Sequence, residues 1–346
     1  KPNNRRAVAT TRSDIIIPEI FTPYVIEQST LRDAFLASGV VQPMAELNAT
    51  EGGDTIQVPH WKANLSGDFQ NLTDSTSLVP KKIQADKQIG VIVHRGDAWS
   101  SRDLAALAAG SDPMAAIGAK VADYVANQRQ KDLIATVQGV FGALTGGDSP
   151  AFSALRFDTS GMTTLGPRQC AKARSLLGDQ GDKLTAVAMH SAVFYDLVER
   201  RAIEYVTNTE ARLATAASGA STINAFGGST INAYTGEVTV PTYMGMRVIV
   251  SDDLVPTSTN YPIYFFTQGA IASGEQAGLR TEVDRDILAK EDAMSIDLHY
   301  CYHPVGARWG GPVNPTQAQL STVGNWTRVY EVKNLGIVRG TVTSNY

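Results

Sequence analysis

Chemically capable side chains gather in the last fifth of the chain. His299, Cys301 and His303 alternate along a stretch whose composition predicts a strand. Strand side chains repeat every second residue, so all three share one face. Imidazole and thiolate are zinc ligands. Three ligands from adjacent same-face positions, with no clear fourth, do not match a tetrahedral spacing, and a packed or hydrogen-bonded set is the simpler reading. A metal-dependent enzyme using His299, Cys301 and His303 stands as the alternative of a different class. Just upstream, Glu282, Asp284 and Asp286 project three carboxylates on one side of another predicted strand. Oxygen ligands suit a hard cation such as calcium, but intersubunit ion pairs with Arg or Lys account for them more simply. No Gly-x-Gly-x-x-Gly, no P-loop and no Gly-x-Ser-x-Gly elbow occurs, so nucleotide binding and serine hydrolysis lack their usual signals. His60, His94 and His190 are scattered and read as structural. No catalytic, cofactor-binding or metal residue is assigned, and no enzyme activity is expected.

These groups need elements to hold them, and the longest is a helix over 112–144. Asp112 can accept the free amides of a first turn, and Pro113 suits the first helical position. Apolar residues recur at Met114, Ile117, Val121, Tyr124 and Val125, then at Leu133, Ile134, Val137, Val140, Phe141 and Leu144. That three-and-four spacing is one buried face, leaving Asp123, Arg129, Lys131 and Asp132 for water or a partner. A helix of roughly 30 residues spans about 45 Å, long against the usual ~11–12 residues. Without a heptad repeat it reads as a strut across a broad, flat subunit.

The 346 residues are enough for two domains or one elaborated one, with a net charge of −4. That balance, with a pI near 5.8, argues against a dedicated nucleic-acid binder, which would carry a basic stripe. Charged residues make up 18%, below the roughly 25% of typical soluble proteins. Extensive subunit contact would produce such a surface, because charge is depleted from interface cores. Cys170 and Cys301 are too few for a disulfide framework, so a reducing compartment is expected. No apolar run reaches the ~18–20 residues needed to span a bilayer. A start at Lys1 rather than Met is what upstream trimming would leave.

Residues 1–50 begin as a basic arm with Lys1, Arg5, Arg6 and Arg12, then Ile15-Ile16-Ile17-Pro18 and two short helix signals near 21–26 and 31–36. The arm reads as a solvated terminus, or as a clamp on neighbouring subunits or packaged nucleic acid. Over 51–97 the chain turns to strands: 55–59 alternates, with Pro59 confining it to an edge, and 82–94 is dense in β-branched residues. Between them 64–80 is polar and turn-rich. A lone two-stranded hairpin is marginal in water, so this one is expected to lie on another subunit. Ser100 and Asp103 resemble a capping box for a short helix to Ala109. Gly146-Gly147-Asp148-Ser149-Pro150 marks the clearest boundary.

Residues 151–281 read as a compact α/β unit. Helices are expected over 170–177 and from a Ser191 cap through Val198. Strands are expected at 184–189, 238–240, 246–250 and 263–266. A small duplication, Ser221-Thr222-Ile223-Asn224-Ala225-Phe226 and Ser229-Thr230-Ile231-Asn232-Ala233-Tyr234, is too short for a solenoid and reads as a loop at a symmetry axis. Strand signals follow at 279–286 and 293–309 around a turn at 287–292. The tail over 310–346 adds strands at 327–332 and 337–342.

This succession resembles the major capsid proteins of tailed bacteriophages, the Hong Kong 97-type fold. Individual stretches are similar in kind: Ala186 through Phe194, Gly245 through Asp253, Tyr264 through Ile271, Glu282 through Asp286, and Tyr302 through Trp309. The resemblance covers roughly residues 15–309, and the tail beyond Trp309 departs from the minimal pattern. It implies an α+β phage major capsid fold with N-terminal arm, extended β-hairpin (E-loop), long spine helix, peripheral (P) domain and axial (A) domain. The implied boundaries are 1–50 for the arm and start of the P-domain, 51–97 for the E-loop, 98–147 for the P-domain with spine helix, 148–281 for the A-domain, 282–309 for the P-domain return strands, and 310–346 for a C-terminal extension.

The resemblance further implies a head protein that self-assembles, as pentamers and hexamers, into an icosahedral shell around double-stranded DNA. The shell would be part of a virion and assemble in the host bacterial cytoplasm. Implied partners are a portal and scaffold, protease or decoration proteins, with no sequence-specific DNA contact and no membrane. An encapsulin-like cellular compartment of the same fold is the alternative. Some relatives weld a hairpin lysine to a neighbour's asparagine; Lys62, Lys81, Lys82 and Lys87, with Asn260, Asn314 and Asn325, are the residues such a weld could use. The expected intersubunit contacts are Trp61, Phe69 and Leu72 on the hairpin, Arg95 at its base, and Glu282, Asp284 and Arg285 near the strand turn.

Overall fold

The computed structural model describes residues 35, 38–48, 52–62, 69–71, 78–104, 107, 113–142, 151–158, 164–207, 230–232, 237–257 and 259–344. The expectations for the basic arm, its short helices, Leu72, the glycine-rich break at 146–150 and most of the duplication lie outside these residues. In chain order the elements are β1 (Val41–Pro43), β2 (Thr55–Trp61), β3 (Ala85–Val91), β4 (Val93–Arg102), α1 (Pro113–Phe141), β5 (Arg156–Asp158), α2 (Pro167–Leu176), β6 (Leu184–Met189) and α3 (Ser191–Glu199). There follow β7 (Glu204–Thr207), β8 (Thr230–Asn232), β9 (Glu237–Tyr243), β10 (Met246–Val250), β11 (Asn260–Thr267), β12 (Ile271–Asp286) and β13 (Glu291–Pro304). The last are β14 (Ala307–Trp309), α4 (Gln317–Leu320), β15 (Trp326–Arg328) and β16 (Ile337–Thr343).

The strut forms as the spacing predicts: α1 runs 29 residues, ~43 Å at 1.5 Å per residue. It stops at Gly142, whose φ of 76° lies in the left-handed region that lets a helix end without a Cβ clash. Its apolar side rests on a four-stranded sheet ordered β1-β12-β13-β4. Met294, Ile296, Leu298 and Tyr300 alternate inward along β13 and share one core with Val121, Val125, Leu133 and Val137 of the helix. The short helix expected toward Ala109 does not start from a Ser100 cap; helix is assigned at Asp103, Leu104 and Leu107. β4 continues through Arg102, because β13 pairs with it as far as Glu291–Arg102.

A larger sheet has the order β5-β16-β11-β6-β10-β9-β7, with β8 on β9. Strands β6 and β10 match their sequence-based limits, and Ala186 to Met189 are buried. Helix α3 begins at Ser191, but its cap is His190, whose side chain accepts from the Ala192 amide at 3.1 Å. The expected strand over 293–309 is two strands. Gly306, at φ 88°, turns the chain between β13 and β14.

The third sheet, β15-β14-β3-β2, has β2 with its Pro59 at the edge, as expected. The hairpin base therefore rests on the chain's own later strands rather than on nothing. The tail is no appendage. Its first half lays α4 and β15 against α1, and its last strand, β16, sits between β5 and β11 in the large sheet. All-round cover explains why Thr136, Val140 and Phe141 are as inaccessible as Leu133.

Candidate functional site

Two ribbons carry apolar side chains into water. One is the β2–β3 hairpin. Lys62 N donates to the Gln84 carbonyl at 2.9 Å, continuing the pairing past Trp61. Farther out, the Gln70 carboxamide copies a strand partner: it accepts from Val79 N at 2.8 Å and donates to Val79 O at 2.6 Å. Trp61 is 66% exposed, Phe69 fully exposed, and Leu78, Val79 and Ile83 stand open beside them. Burying such a side chain stabilises by about 1.5–3 kcal/mol, so this surface has much to gain from a cover.

The second ribbon is the distal part of β12–β13. Beyond Arg280 every residue of β12 is exposed, and the turn presents Ile287 and Leu288, the latter 97% exposed, with Val283 beside them. Its backbone is well tied. Asp286 accepts from the Leu288 and Ala289 amides at 2.9 and 3.0 Å. Arg285 grips Asp292 at 2.8 and 2.9 Å and Asp103 at 2.7 Å, which holds its guanidinium above the usual range. Arg285, expected to reach a neighbour, is thus committed within its own chain. Glu282 and Asp284 are exposed. Two bulky aliphatics in a turn flanked by charge were a signal in the sequence, and the sequence reading passed over it.

Arg95 also makes bonds within its own chain. Its Nε donates to Asp132 at 2.9 Å and its NH2 to the Pro315 carbonyl at 3.0 Å. The Tyr300 hydroxyl donates to the same Asp132 oxygen at 2.7 Å. Burial, then the Asp132 charge, pushes that phenol's pKa up. Asp132, left for water or a partner by the helical pattern, is therefore a buried anchor between α1 and the sheet. Arg129 behaves alike, donating to the Tyr302 hydroxyl and to Glu275, both at 2.9 Å, with its guanidinium 5.2 Å from the Tyr300 ring centre. One turn earlier Tyr124 donates to Asp97 at 2.6 Å, and that bond raises its pKa to about 12. A polar seam thus runs along the middle of the strut, where a solvated face was expected.

His299, Cys301 and His303 do share a face of β13, yet each is engaged separately. His299 stacks on His94, its partner across the ladder, with ring centres 4.1 Å apart. Cys301 is fully buried beside Leu47 and Ala272, and desolvation pushes its thiol up to about 12. His303 meets Gln88 at 3.2 Å, and burial pulls its pKa down to about 4. Among the described residues no three His, Cys, Asp or Glu side chains are placed to hold a metal ion. Four of the seven candidate weld residues have partners within the chain: Lys62 donates to Gln84, Lys87 to Gln57, Asn314 accepts from His94 N, and Asn325 donates to Gln319.

Comparison with known proteins agrees with this architecture. Residues 44–336 match the Gp13-like family, described as major capsid protein 13-like. The major capsid protein of Bacillus phage SPP1 is 36% identical over 347 aligned positions, covering 95% of this chain and 97% of that one. Among solved structures, the mature capsid of bacteriophage PhiM1 superposes with a TM-score of 0.56 at 13% identity, over 98% of this chain and 95% of that one. The capsid of Ralstonia phage GP4 does so with 0.56 at 10% identity, over 99% of both. At those identities the likeness speaks for the fold, which is of the Hong Kong 97 type; the match over 44–336 and the SPP1 relative speak for descent. The chain belongs to the Gp13-like family of phage major capsid proteins.

Proposed function

We propose that this major capsid protein closes an icosahedral shell of pentamers and hexamers around double-stranded DNA, its two ribbons lying on neighbouring copies. The observation that carries this is the open apolar surface of both ribbons, Trp61 and Phe69 on one, Val283, Ile287 and Leu288 on the other. Apolar surface left open on well-formed projections marks an interface. Each contact is modest, but in a closed shell every later one is intramolecular and gains from a high effective concentration.

In this reading the parts are an arm over 1–50, the E-loop over 51–97, a P-domain over 98–147 and 282–309, an A-domain over 148–281 and an extension over 310–346. Glu282 and Asp284 supply charge at the second ribbon, and no catalytic step is assigned. Assembly takes place in the bacterial host, with a portal at one vertex and scaffold, protease or decoration proteins as further partners. A net charge of −4 suits a wall that encloses DNA without gripping it. Among the described residues no helix is long and apolar enough to cross a membrane.

Electron microscopy of the expressed chain tests the reading. Closed particles are expected from the intact chain, and none from a chain lacking 64–80. Normal particles after that deletion would remove the hairpin from the mechanism. Particles carrying a cargo enzyme in place of a genome would point to a cellular compartment instead.

A further inference from the structure

The hairpin leaves the body of the subunit at one place, and two polar side chains, Gln88 and His303, are buried there. Gln88 lies in β3 between Lys87 and Ile89 and is 4% exposed. Its Oε1 accepts from the Gly306 amide at 2.8 Å and faces His303 Nε2 at 3.2 Å. A backbone N–H can only donate, so the atom beside Gly306 must be the carboxamide oxygen, and this fixes the orientation of the whole group. His303 Nε2 then carries the ring proton. The Gln88 nitrogen is turned the other way, donating to the Tyr330 hydroxyl at 2.8 Å. Three partners meet on one carboxamide.

Each partner is held in turn. The Gly306 carbonyl accepts from the amides of Val329 and Tyr330 at 2.8 and 3.2 Å. A Cβ at Gly306 would lie 2.6 Å from Leu335 and 2.9 Å from Tyr330, besides demanding φ 88°. Tyr330 also meets His60 of β2 edge-on, ring centres 4.8 Å apart. Arg308 of β14 reaches the Asp86 carboxylate and the Lys87 carbonyl on β3. The strand and turn around Tyr330 are in turn fixed to the strut: Trp326 is fully buried, packs on Trp309 at 4.8 Å and donates to the Leu320 carbonyl at 2.8 Å. Rigid contacts therefore run from the hairpin base through Gln88 and Tyr330 to α1.

We infer that Gln88 is a positioning pin: with Tyr330 and Gly306 it sets the angle at which the hairpin leaves the subunit, and residues 310–336 are the strap that refers this angle to the spine helix. Ladder hydrogen bonds between β3 and β14 amount to a single register pair, Arg308 with Ile89, which fixes a position but tolerates rotation about it. Polar bonds in several directions from one buried carboxamide remove that rotation. The pin acts within one chain, so its failure would leave the shell reading untouched.

The test uses spin labels on Lys82→Cys and Lys120→Cys, on the hairpin and the strut, both exposed. Labelled full-length chain is diluted into unlabelled chain, and the distance distribution is read by pulsed electron resonance. In Gln88→Leu the distribution is expected to broaden and its mean to shift, and Tyr330→Phe should do the same to a lesser degree. Val193→Ala, a core truncation distant from the pin, lowers stability and should leave the distribution as it was. An unchanged distribution in Gln88→Leu would overturn the proposal, as would equal broadening in Val193→Ala. Should Gln88→Leu fail to fold, Tyr330→Phe decides, and an unchanged distribution there is the overturning result.

Discussion

Gly139 and Trp326 stand in a contact that leaves no room for a side chain. A Cβ built on Gly139 would lie 2.6 Å from Trp326 Nε1 and closer still to the Leu320 carbonyl oxygen. A glycine inside a helix costs roughly 1 kcal/mol against alanine, and here that cost lets the strap lie directly on the strut. Gly139→Ala would gain the helical preference and lose the fit. A net destabilisation of about 2 kcal/mol is expected, since overpacking costs about 1–3 kcal/mol. Denaturant unfolding of the two forms checks it, and a more stable variant would refute the tight contact.

The polar seam should behave as a coupled unit. Asp132→Ala strands the Arg95 guanidinium and the Tyr300 hydroxyl, both of which donate to Asp132. With Arg95 partly open to water, a loss of about 2–3 kcal/mol is expected, at the low end for a broken buried pair. Arg95→Ala should cost less, and the double variant should fall short of the sum by about 1 kcal/mol. Strict additivity in a double-mutant cycle would show that the two side chains act independently.

His303 makes the fold sensitive to acid. Its pKa falls from 6.5 in the unfolded chain to about 4 in the native one because burial disfavours the charged ring. The unfolded state therefore binds the proton first. The native state is unpenalised above about pH 6.5, loses stability as the pH drops through the interval, and stops losing it below about pH 4. The full loss is on the order of 3 kcal/mol. His303→Gln should flatten this part of the stability-against-pH curve; an identical slope in the variant would mean that other groups produce it.

Both thiols are buried, and desolvation lifts each to about 12. Neither Cys170 nor Cys301 should react with a disulfide reagent at pH 8 before the chain unfolds. Rapid stoichiometric labelling of native protein would contradict this placement.

Substitutions on the ribbons should separate folding from assembly. Trp61→Ser together with Leu288→Ser touches two open side chains, so stability should hold within about 0.5 kcal/mol. Particle yield in sedimentation should nevertheless collapse. Full yield from a normally folded variant would show that these side chains stay open in the shell.

What could be read from the sequence was whatever repeats locally. The strut announced itself by spacing, β6 and β10 by β-branched runs, and the hairpin by Pro59 and its polar tip. What escaped depends on partners far along the chain. Asp132 and Arg129 look solvated by helical period, and nothing near them says that Tyr300 and Tyr302 will lie opposite. The bonds of Arg95 within its own chain were not legible because its acceptors, Asp132 and the Pro315 carbonyl, are distant in sequence. Gln88, one of three consecutive polar residues in β3, carried no local mark of the three partners around it. Of the tail's strands, 337–342 was visible and 327–332 only in part, since β15 ends at Arg328 and a 3-10 turn opens at Val332; their places in two different sheets were not visible, because pairing is not written into either strand alone.

Strand β16 has a further implication for how subunits are made. Because it sits between β5 and β11, the large sheet lacks its next-to-edge strand until residue 343 has left the ribosome. A prematurely terminated chain would lack that strand, leaving Phe265 without its ladder partner Val338. Completion of the large sheet is thereby tied to the last strand made.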